Sequence, residues 1–192
     1  MTDLGNMTYF LGMKIIYSEK GIILHQLKYE LELLKRFELP NCNGAIKPSK
    51  ENYKLDSDPE CDDVDATTFK QLVGSQRYLC NTISDICYVV GMVSKFMSKP
   101  KWSHYQVGVR ILMYVKGTLK YGVVFPSREN TNSKLMCYSD SDWYGDRVDG
   151  RSTSGYLFKY MGSPISWCSK KQLIFALPTY EVEYITCVVA AC

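Results

Sequence analysis

The sequence CYSDSDWYGDRVDGRSTSG, residues 137–155, decides how the C-terminal part of the chain is interpreted. In it, Asp140 and Asp142 alternate with serines just before a turn rich in Gly and Asp. Because side chains on a strand alternate between faces, these two carboxylates point to the same side. Two carboxylates at a strand end can hold a divalent cation, but they are also ordinary residues of a solvated turn. The run alone leaves both interpretations open.

The residues around this run predict a small antiparallel sheet followed by a helix. Residues 135–140, 155–161 and 164–169 each alternate as a strand, and turn residues separate them. A helix is predicted after Pro178, with Thr179 at its N-terminus. We therefore expect three meandering strands and then a helix.

The predicted helix carries Glu181 and Glu183 in its first turn. If the helix packs across the strands, Asp140 and Glu183 can converge. A strand carboxylate and a helix carboxylate are a sensible start for a site that holds two Mg²⁺, because several acids are needed to neutralise and hold such ions. The alternative is that the two glutamates only place favourable charge at a helix N-terminus.

Upstream, the pattern predicts a β-hairpin and then several helices. Residues 7–17 and 22–24 form the hairpin, with a bend at Gly12. A helix follows at 26–37, and 41–65 is a long acidic loop. Three more helices and a strand complete this part, at residues 67–82, 84–98, 103–116 (with Ser103 as N-cap) and 121–126.

Charge is segregated along the chain, although the net charge is only +3 over 192 residues. Acids gather in 51–65, whereas residues 86–128 contain none. The basic side chains of the acid-free stretch predict a positive surface that meets nucleic acid. A solvated helical surface without acids is the alternative. The candidate nucleic-acid-binding residues are Lys95, Lys99, Lys101, Arg110, Lys116 and Lys120.

Cysteine usage and hydropathy restrict the compartment. The eight cysteines show no C-x2-C pair of the kind that binds zinc, and no secretory segment opens the chain. Free thiols predict a reducing intracellular location, cytoplasmic or nuclear. No apolar run approaches the roughly 20 residues that a membrane span needs, so no membrane partner is expected.

Several segments resemble one family in its own order. The runs YSDSDWYGDRVDGRSTSGYLF (138–158), PISWCSKKQ (164–172) and ALPTYEVEY (176–184) resemble the ribonuclease H region of copia-type LTR retrotransposon Pol polyproteins. The segments TDLGNMTYFLGMKI (2–15) and KFMSKPKWSHYQVGVRILMYVKGTLKYGVVF (95–125) resemble the end of the reverse transcriptase and its connection segment. The resemblance covers essentially the whole chain.

The resemblance implies an α+β (mixed) fold. A helical connection or thumb-like unit after a β-hairpin would occupy residues 1–126, and 127–133 would be a linker. A truncated ribonuclease H-like unit of three antiparallel strands and a helix would occupy 134–192. The family copies RNA into DNA and cleaves the RNA of RNA–DNA hybrids with Mg²⁺, so the hybrid is the implied partner.

Residue by residue, the resemblance implies Asp140 and Glu183 as the catalytic and Mg²⁺-holding carboxylates. Asp142 lies beside this site but matches no ligand of the family. A primer-grip-like turn would consist of Tyr9, Phe10, Leu11 and Gly12.

The chain also departs from the family. The polymerase motif Tyr-x-Asp-Asp does not occur in the sequence, and the third and fourth ribonuclease H carboxylates would follow Cys192. Pro178, Tyr180 and Val182 replace small residues beside Glu183. We therefore expect a Pol polyprotein fragment with incomplete, inactive metal sites, whose partners include the remainder of a polyprotein. The alternatives are a non-catalytic nucleic-acid-binding module and a genomic relic without a selected role.

Overall fold

Two antiparallel sheets and five α-helices make up the part of the chain that the computed structural model describes. That part comprises residues 5–49, 55, 61–127, 134–146, 149–175 and 178–191. The mixed α and β content confirms the predicted fold class at this level.

The first sheet contains the predicted hairpin of 7–17 with 22–24, but the bend at Gly12 is a turn that divides the first strand in two. β1 (Tyr9–Phe10) and β2 (Met13–Ser18) are joined by a turn in which Leu11 and Gly12 have φ angles of +46° and +77°. β3 (Gly21–His25) pairs with β2, and β4 (Val123–Pro126) pairs with β3. The sheet order is therefore β1-β2-β3-β4, and β4 returns from far along the chain to close it.

Four helices pack around one apolar core: α1 (Leu27–Arg36), α2 (Ala66–Leu79), α3 (Cys87–Val93) and α4 (Trp102–Gly117). None of the described helices is long and apolar enough to cross a membrane. The fully buried core side chains include Leu33, Phe69, Leu72, Val73, Leu79, Ile86, Val93, Ile111, Leu112 and Val115. The predicted helices at 26–37, 67–82 and 103–116 are confirmed within a few terminal residues.

The predicted helix at 84–98 is confirmed as a helical segment over residues 84–96, but only its middle is α-helical. The chain forms two 3₁₀ turns, Ser84–Ile86 and Ser94–Phe96, on either side of the short α3. Valines and Gly91 fill this helix, and β-branched residues and glycine have low helix propensity. The N-cap of α4 was also misassigned, because Lys101 takes that position and its N–H donates to Nδ1 of His104 at 3.0 Å.

Asp65 caps α2. Its Oδ2 accepts hydrogen bonds from the N–H and the hydroxyl of Thr68, at 2.7 and 2.8 Å. The hydrogen bond from the N–H has the larger effect, and together the two bonds hold the pKa of Asp65 below its usual value.

Replacing this cap is expected to destabilise the fold measurably. Asp65→Ala should lower the Tm by about 3 °C, because the first turn of α2 loses its acceptor. Asp65→Asn, which keeps an acceptor oxygen, should lose much less. Thermal denaturation followed by circular dichroism measures both, and equal melting of Asp65→Ala and the wild type would contradict the capping role.

The second sheet contains the predicted meander. β5 (Leu135–Asp142), β6 (Thr153–Tyr160) and β7 (Ser163–Lys171) pair antiparallel in the order β5-β6-β7, and α5 (Thr179–Ala191) follows. The three strands and the helix after Pro178 confirm the predicted order. Most of the predicted linker, residues 128–133, lies outside the described residues, and the domain boundaries stay a prediction.

Hydrogen bonds fix α5 on this sheet. The hydroxyls of Ser154 and Thr186 lie 2.7 Å apart. The side-chain amide of Gln172 donates to Ser154 Oγ at 2.9 Å and to the carbonyl of Val182 at 3.1 Å. All four residues are buried. Because buried polar groups depend on such partners, the network determines which face of the sheet α5 covers.

Candidate carboxylate site and nucleic-acid interface

β5 presents Asp140 and Asp142 on the face of the second sheet that is turned toward the helices. Burial, followed by the nearby charge of Asp142, raises the pKa of Tyr88 on α3. On the same face, Nε1 of Trp167 donates to the carbonyl of Cys80 at the end of α2, at 2.7 Å. An open cleft of about 670 Å³ separates this face from α3, and Asp140 and Asp142 line it.

The helix α5 covers the opposite face. Ser139 Oγ lies 3.7 Å from Sγ of Cys187 on α5, and Ser154, which pairs with Ser141, contacts Thr186. β5 pairs with β6 in continuous register from Leu135 to Asp142, so its side chains alternate regularly. The odd-numbered positions of β5 therefore face α5, and Asp140 faces away from it.

Glu183 lies on α5, one turn before Cys187, and is exposed. The sheet therefore lies between Asp140 and the helix that carries Glu183. Carboxylates that share two Mg²⁺ must converge on ions only a few ångströms apart. As folded, Asp140 and Glu183 do not fit a shared Mg²⁺ site, and their pairing stays a prediction that this geometry does not favour. Among the described residues, no three His, Cys, Asp or Glu side chains form a group that could hold a metal ion.

Asp142 has a structural partner. Its Oδ1 accepts a hydrogen bond from the N–H of Thr153, the residue it faces on β6. Burial raises the pKa of Asp142, and the bond from Thr153 opposes that shift. Asp142 thus ties the end of β5 to the start of β6.

Asp146 is a buried acid that sequence analysis did not identify. Its Oδ2 forms ion pairs with Lys95 at 3.1 Å and with Lys171 at 2.5 Å. Lys95 comes from the 3₁₀ turn after α3 and Lys171 from the end of β7, so the acid links the helices to the second sheet. Lys95 is therefore engaged within the protein rather than free for nucleic acid. The Asp-rich turn resembled a solvated loop, and no local signal indicated these distant partners.

Lys101 is also paired. Its Nζ lies 2.8 Å from Oδ1 of Asp63, and the same two residues form an isolated β-bridge. The pair lowers the pKa of Asp63 through a hydrogen bond and the charge of Lys101. Two of the six candidate nucleic-acid ligands thus already have acidic partners.

Of the remaining four candidates, Arg110 and Lys116 lie on the side of α4 away from the core, and Lys99 and Lys120 lie beyond its ends. Steps of three or four residues along this helix connect side chains that share one face. We call this set the α4 stripe: Trp102, Gln106, Arg110, Met113 and Lys116, with Lys99 and Lys120 just beyond the two ends of the helix. The opposite side of α4 is buried in the core. No residue of the stripe is acidic.

An aromatic surface lies at the start of the stripe. Trp102 is 48% exposed, and its ring stacks on that of Tyr105 with centroids 5.3 Å apart and an interplanar angle of 20°.

Arg110 lies in the middle of the stripe, and its Nε is buried without a hydrogen-bond partner in the described part of the chain. An unpaired buried donor of this kind is costly.

The primer-grip-like residues form an exposed turn. Tyr9, Phe10 and Leu11 are each about half exposed or more. The hydroxyl of Tyr78 on α2 donates to the carbonyl of Leu11, and it occupies the space that a Cβ at Gly12 would need. The turn is thus fixed to α2, and its role at a primer stays a prediction.

No protein-family model and no solved structure matches the chain significantly. It is 38% identical over 182 residues to the retrovirus-related Pol polyprotein from transposon RE1 of Arabidopsis thaliana, covering 95% of this chain and 12% of that protein. It is 34% identical over 194 residues to the Pol polyprotein from transposon TNT 1-94 of Nicotiana tabacum, covering 96% and 14%. The uncharacterized mitochondrial protein AtMg00810 of Arabidopsis thaliana is 33% identical over 185 residues, covering 96% and 75%.

These similarities extend over almost all of the chain, whereas the chain spans only 12% to 14% of the two Pol polyproteins. The mitochondrial relative, of which three quarters are covered, is similar over the same region. The chain belongs to the copia-type family of retrotransposon Pol polyproteins.

Proposed function

We propose that this chain binds RNA–DNA hybrid through the α4 stripe, as a part of a Pol polyprotein that does not itself cleave the hybrid. The observation that carries the proposal is the stripe: Arg110 and Lys116 on α4, Lys99 and Lys120 beyond its ends, none of them in an ion pair with a described acid, and the exposed Trp102. The proposal assigns the helical part to the connection segment and residues 134–191 to the first part of a ribonuclease H-like unit. The order of three antiparallel strands and a helix supports that assignment.

The chemistry of the stripe matches that of a nucleic-acid backbone. Lysine and arginine bind phosphates and release condensed counterions, which supplies most of the sequence-independent affinity. An exposed tryptophan gives a flat surface for a base or a sugar, with a contribution of about 1–3 kcal/mol when a base stacks on it. Gln106 and Arg110 add hydrogen-bond donors for phosphate oxygens.

The non-cleaving part of the proposal rests on the second sheet. Asp140 faces the helices, and α5 with Glu183 lies on the other face. The buried network of Ser154, Gln172 and Thr186 holds α5 there. Convergence of Asp140 and Glu183 would require this network to break.

A cleavage assay tests this part. We expect the full chain with Mg²⁺ and a labelled RNA–DNA hybrid to leave the RNA intact at protein concentrations that bind the hybrid. Asp140→Asn and Glu183→Gln should give the same background as the wild type. Robust cleavage that Asp140→Asn abolishes would contradict the non-cleaving assignment, while the binding proposal would still stand.

Binding itself is tested by comparing ligands of one sequence. Hybrid, duplex DNA and single-stranded RNA of equal length are titrated against the chain at the same salt concentration. The proposal predicts the tightest binding to the hybrid. Equal affinity for all three, or for heparin, would reduce the function to general polyanion binding.

A further inference from the structure

A small cavity with an apolar wall lies between α3 and α4. It encloses about 270 Å³, and the apolar side chains that line it are Leu55, Val89, Met92, Val107 and Met113. Val89 and Val107 are buried, and Leu55 packs against the core from the segment between α1 and α2. At about 30 Å³ for each water of the liquid, this volume equals roughly nine waters, so a ligand of about ten non-hydrogen atoms fits. An apolar wall of this kind is suited to an aliphatic chain.

The polar lining of the cavity includes one cation. Arg110, Gln106 and Ser49 line it, and none of its described lining residues is an acid. Arg110 is half-buried, and its Nε is buried without a hydrogen-bond partner among the described residues. A guanidinium binds a carboxylate through two parallel, charge-assisted hydrogen bonds. The side-chain amide of Gln106 and the hydroxyl of Ser49 add donors for the same oxygens.

The two kinds of lining together select one class of ligand. An aliphatic alcohol or amide lacks the negative charge that Arg110 would pair with, and inorganic phosphate lacks an apolar part. We propose that the cavity binds a low-molecular-weight aliphatic monocarboxylate of about the size of octanoate. Its carboxylate pairs with Arg110, and its chain lies against Val89, Met92 and Met113.

Arg110 also belongs to the α4 stripe, so a bound carboxylate would occupy one of the proposed phosphate contacts. Saturating octanoate should then weaken hybrid binding roughly eightfold at about 0.1 M salt, the effect of one contact. This consequence rests on the proposed function, whereas binding of the carboxylate itself does not. A chain that binds octanoate but no hybrid would contradict the proposed function alone.

Isothermal titration calorimetry with the full chain tests the class of ligand. Each methylene that the cavity buries should contribute about fourfold in affinity, so hexanoate should bind about fifteenfold more weakly than octanoate. Octanamide, which keeps the chain and loses the charge, should bind at least about tenfold more weakly. Inorganic phosphate should show no binding to the cavity. Equal affinities for octanoate and octanamide, or no binding of octanoate, would overturn the proposal.

A pair of variants tests the role of Arg110. Arg110→Gln should weaken octanoate binding at least about tenfold and leave octanamide binding unchanged. Arg36→Gln removes the same charge from an exposed position on α1 and should bind octanoate as the wild type does. Circular dichroism checks that both variants are folded. Equal losses of octanoate affinity in the two variants would show that the cavity does not supply the cation.

NMR of chains labelled at the methionine methyl groups locates the ligand in the wild type. Octanoate should shift the signals of Met92 and Met113, which line the cavity, and Met92→Leu and Met113→Leu assign them. Met136 on β5 and Met161 in the turn after β6 lie outside the cavity and are internal controls. Equal shifts of all four signals would show non-specific association with exposed apolar surface. That result, or shifts confined to Met136 and Met161, would overturn the proposal.

Discussion

Replacing Arg110, Lys116 and Lys120 together with glutamine is expected to weaken binding of an RNA–DNA hybrid a few hundredfold at about 0.1 M salt. Affinity varies as about the −0.9 power of the salt concentration for each phosphate contact, so one contact contributes roughly eightfold under these conditions. Fluorescence anisotropy with a labelled hybrid measures the change. Circular dichroism checks that the variant is folded, which is needed because Arg110 is half-buried on α4.

A matched variant separates the stripe from net charge. Lys28, Lys35 and Arg36 are exposed on α1, and their replacement by glutamine removes the same charge from another surface. We expect this variant to lose less than about threefold in affinity, a loss smaller than that of one contact. Equal losses in the two variants would show that overall charge binds the hybrid, and the stripe would lose its special role.

The second large effect is the pH dependence of stability that Glu30 causes. This residue is 3% exposed on α1. Burial raises the pKa of Glu30 from 4.5 to about 7, and its Oε2 has no hydrogen-bond partner among the described residues. Between these two pH values the folded chain keeps a proton that the unfolded chain has lost. The contribution of Glu30 to the free energy of unfolding therefore falls as the pH rises through this window and is constant on either side of it.

The expected loss is about 3 kcal/mol, since each pKa unit corresponds to about 1.4 kcal/mol. Urea unfolding at a series of pH values measures it. Glu30→Gln should flatten the profile and be more stable than the wild type at pH above about 7. Glu32→Gln, on the exposed side of the same helix, is the control and should keep the wild-type slope. Parallel profiles for the wild type and Glu30→Gln would show that the buried carboxyl does not titrate as described.

Local periodicity predicted most of the elements and the pairing of neighbouring strands, but not the partners that are distant in the chain. The hairpin, α1, α2, α4 and the second sheet with α5 follow from alternation or helical spacing within single segments. β4 was predicted as a strand, yet its pairing with β3 joins residues about a hundred positions apart, for which the sequence has no local signal. The 3₁₀ turns at both ends of α3 were not predicted, because an apolar run looks helical whether or not its valines favour an α-helix.

In the candidate site, too, local features could be predicted from the sequence and distant contacts could not. Alternation on β5 correctly places Asp140 and Asp142 on one face, but it does not predict which face α5 covers. That choice depends on the packing of Ser154 and Gln172 against Thr186, contacts that are distant in sequence. Similarly, helical spacing indicates the α4 stripe, whereas the ion pairs that occupy Lys95 and Lys101 depend on loops elsewhere in the chain.

Hybrid affinity as a function of salt tests the central claim most directly. With phosphate contacts from Lys99, Arg110, Lys116 and Lys120, the logarithm of the association constant should fall linearly with the logarithm of the salt concentration, with a slope of about −3.6. Affinity should then fall roughly a hundredfold from about 50 to about 200 mM salt. An affinity that stays constant over this range would contradict the account, because binding through the α4 stripe requires the release of counterions.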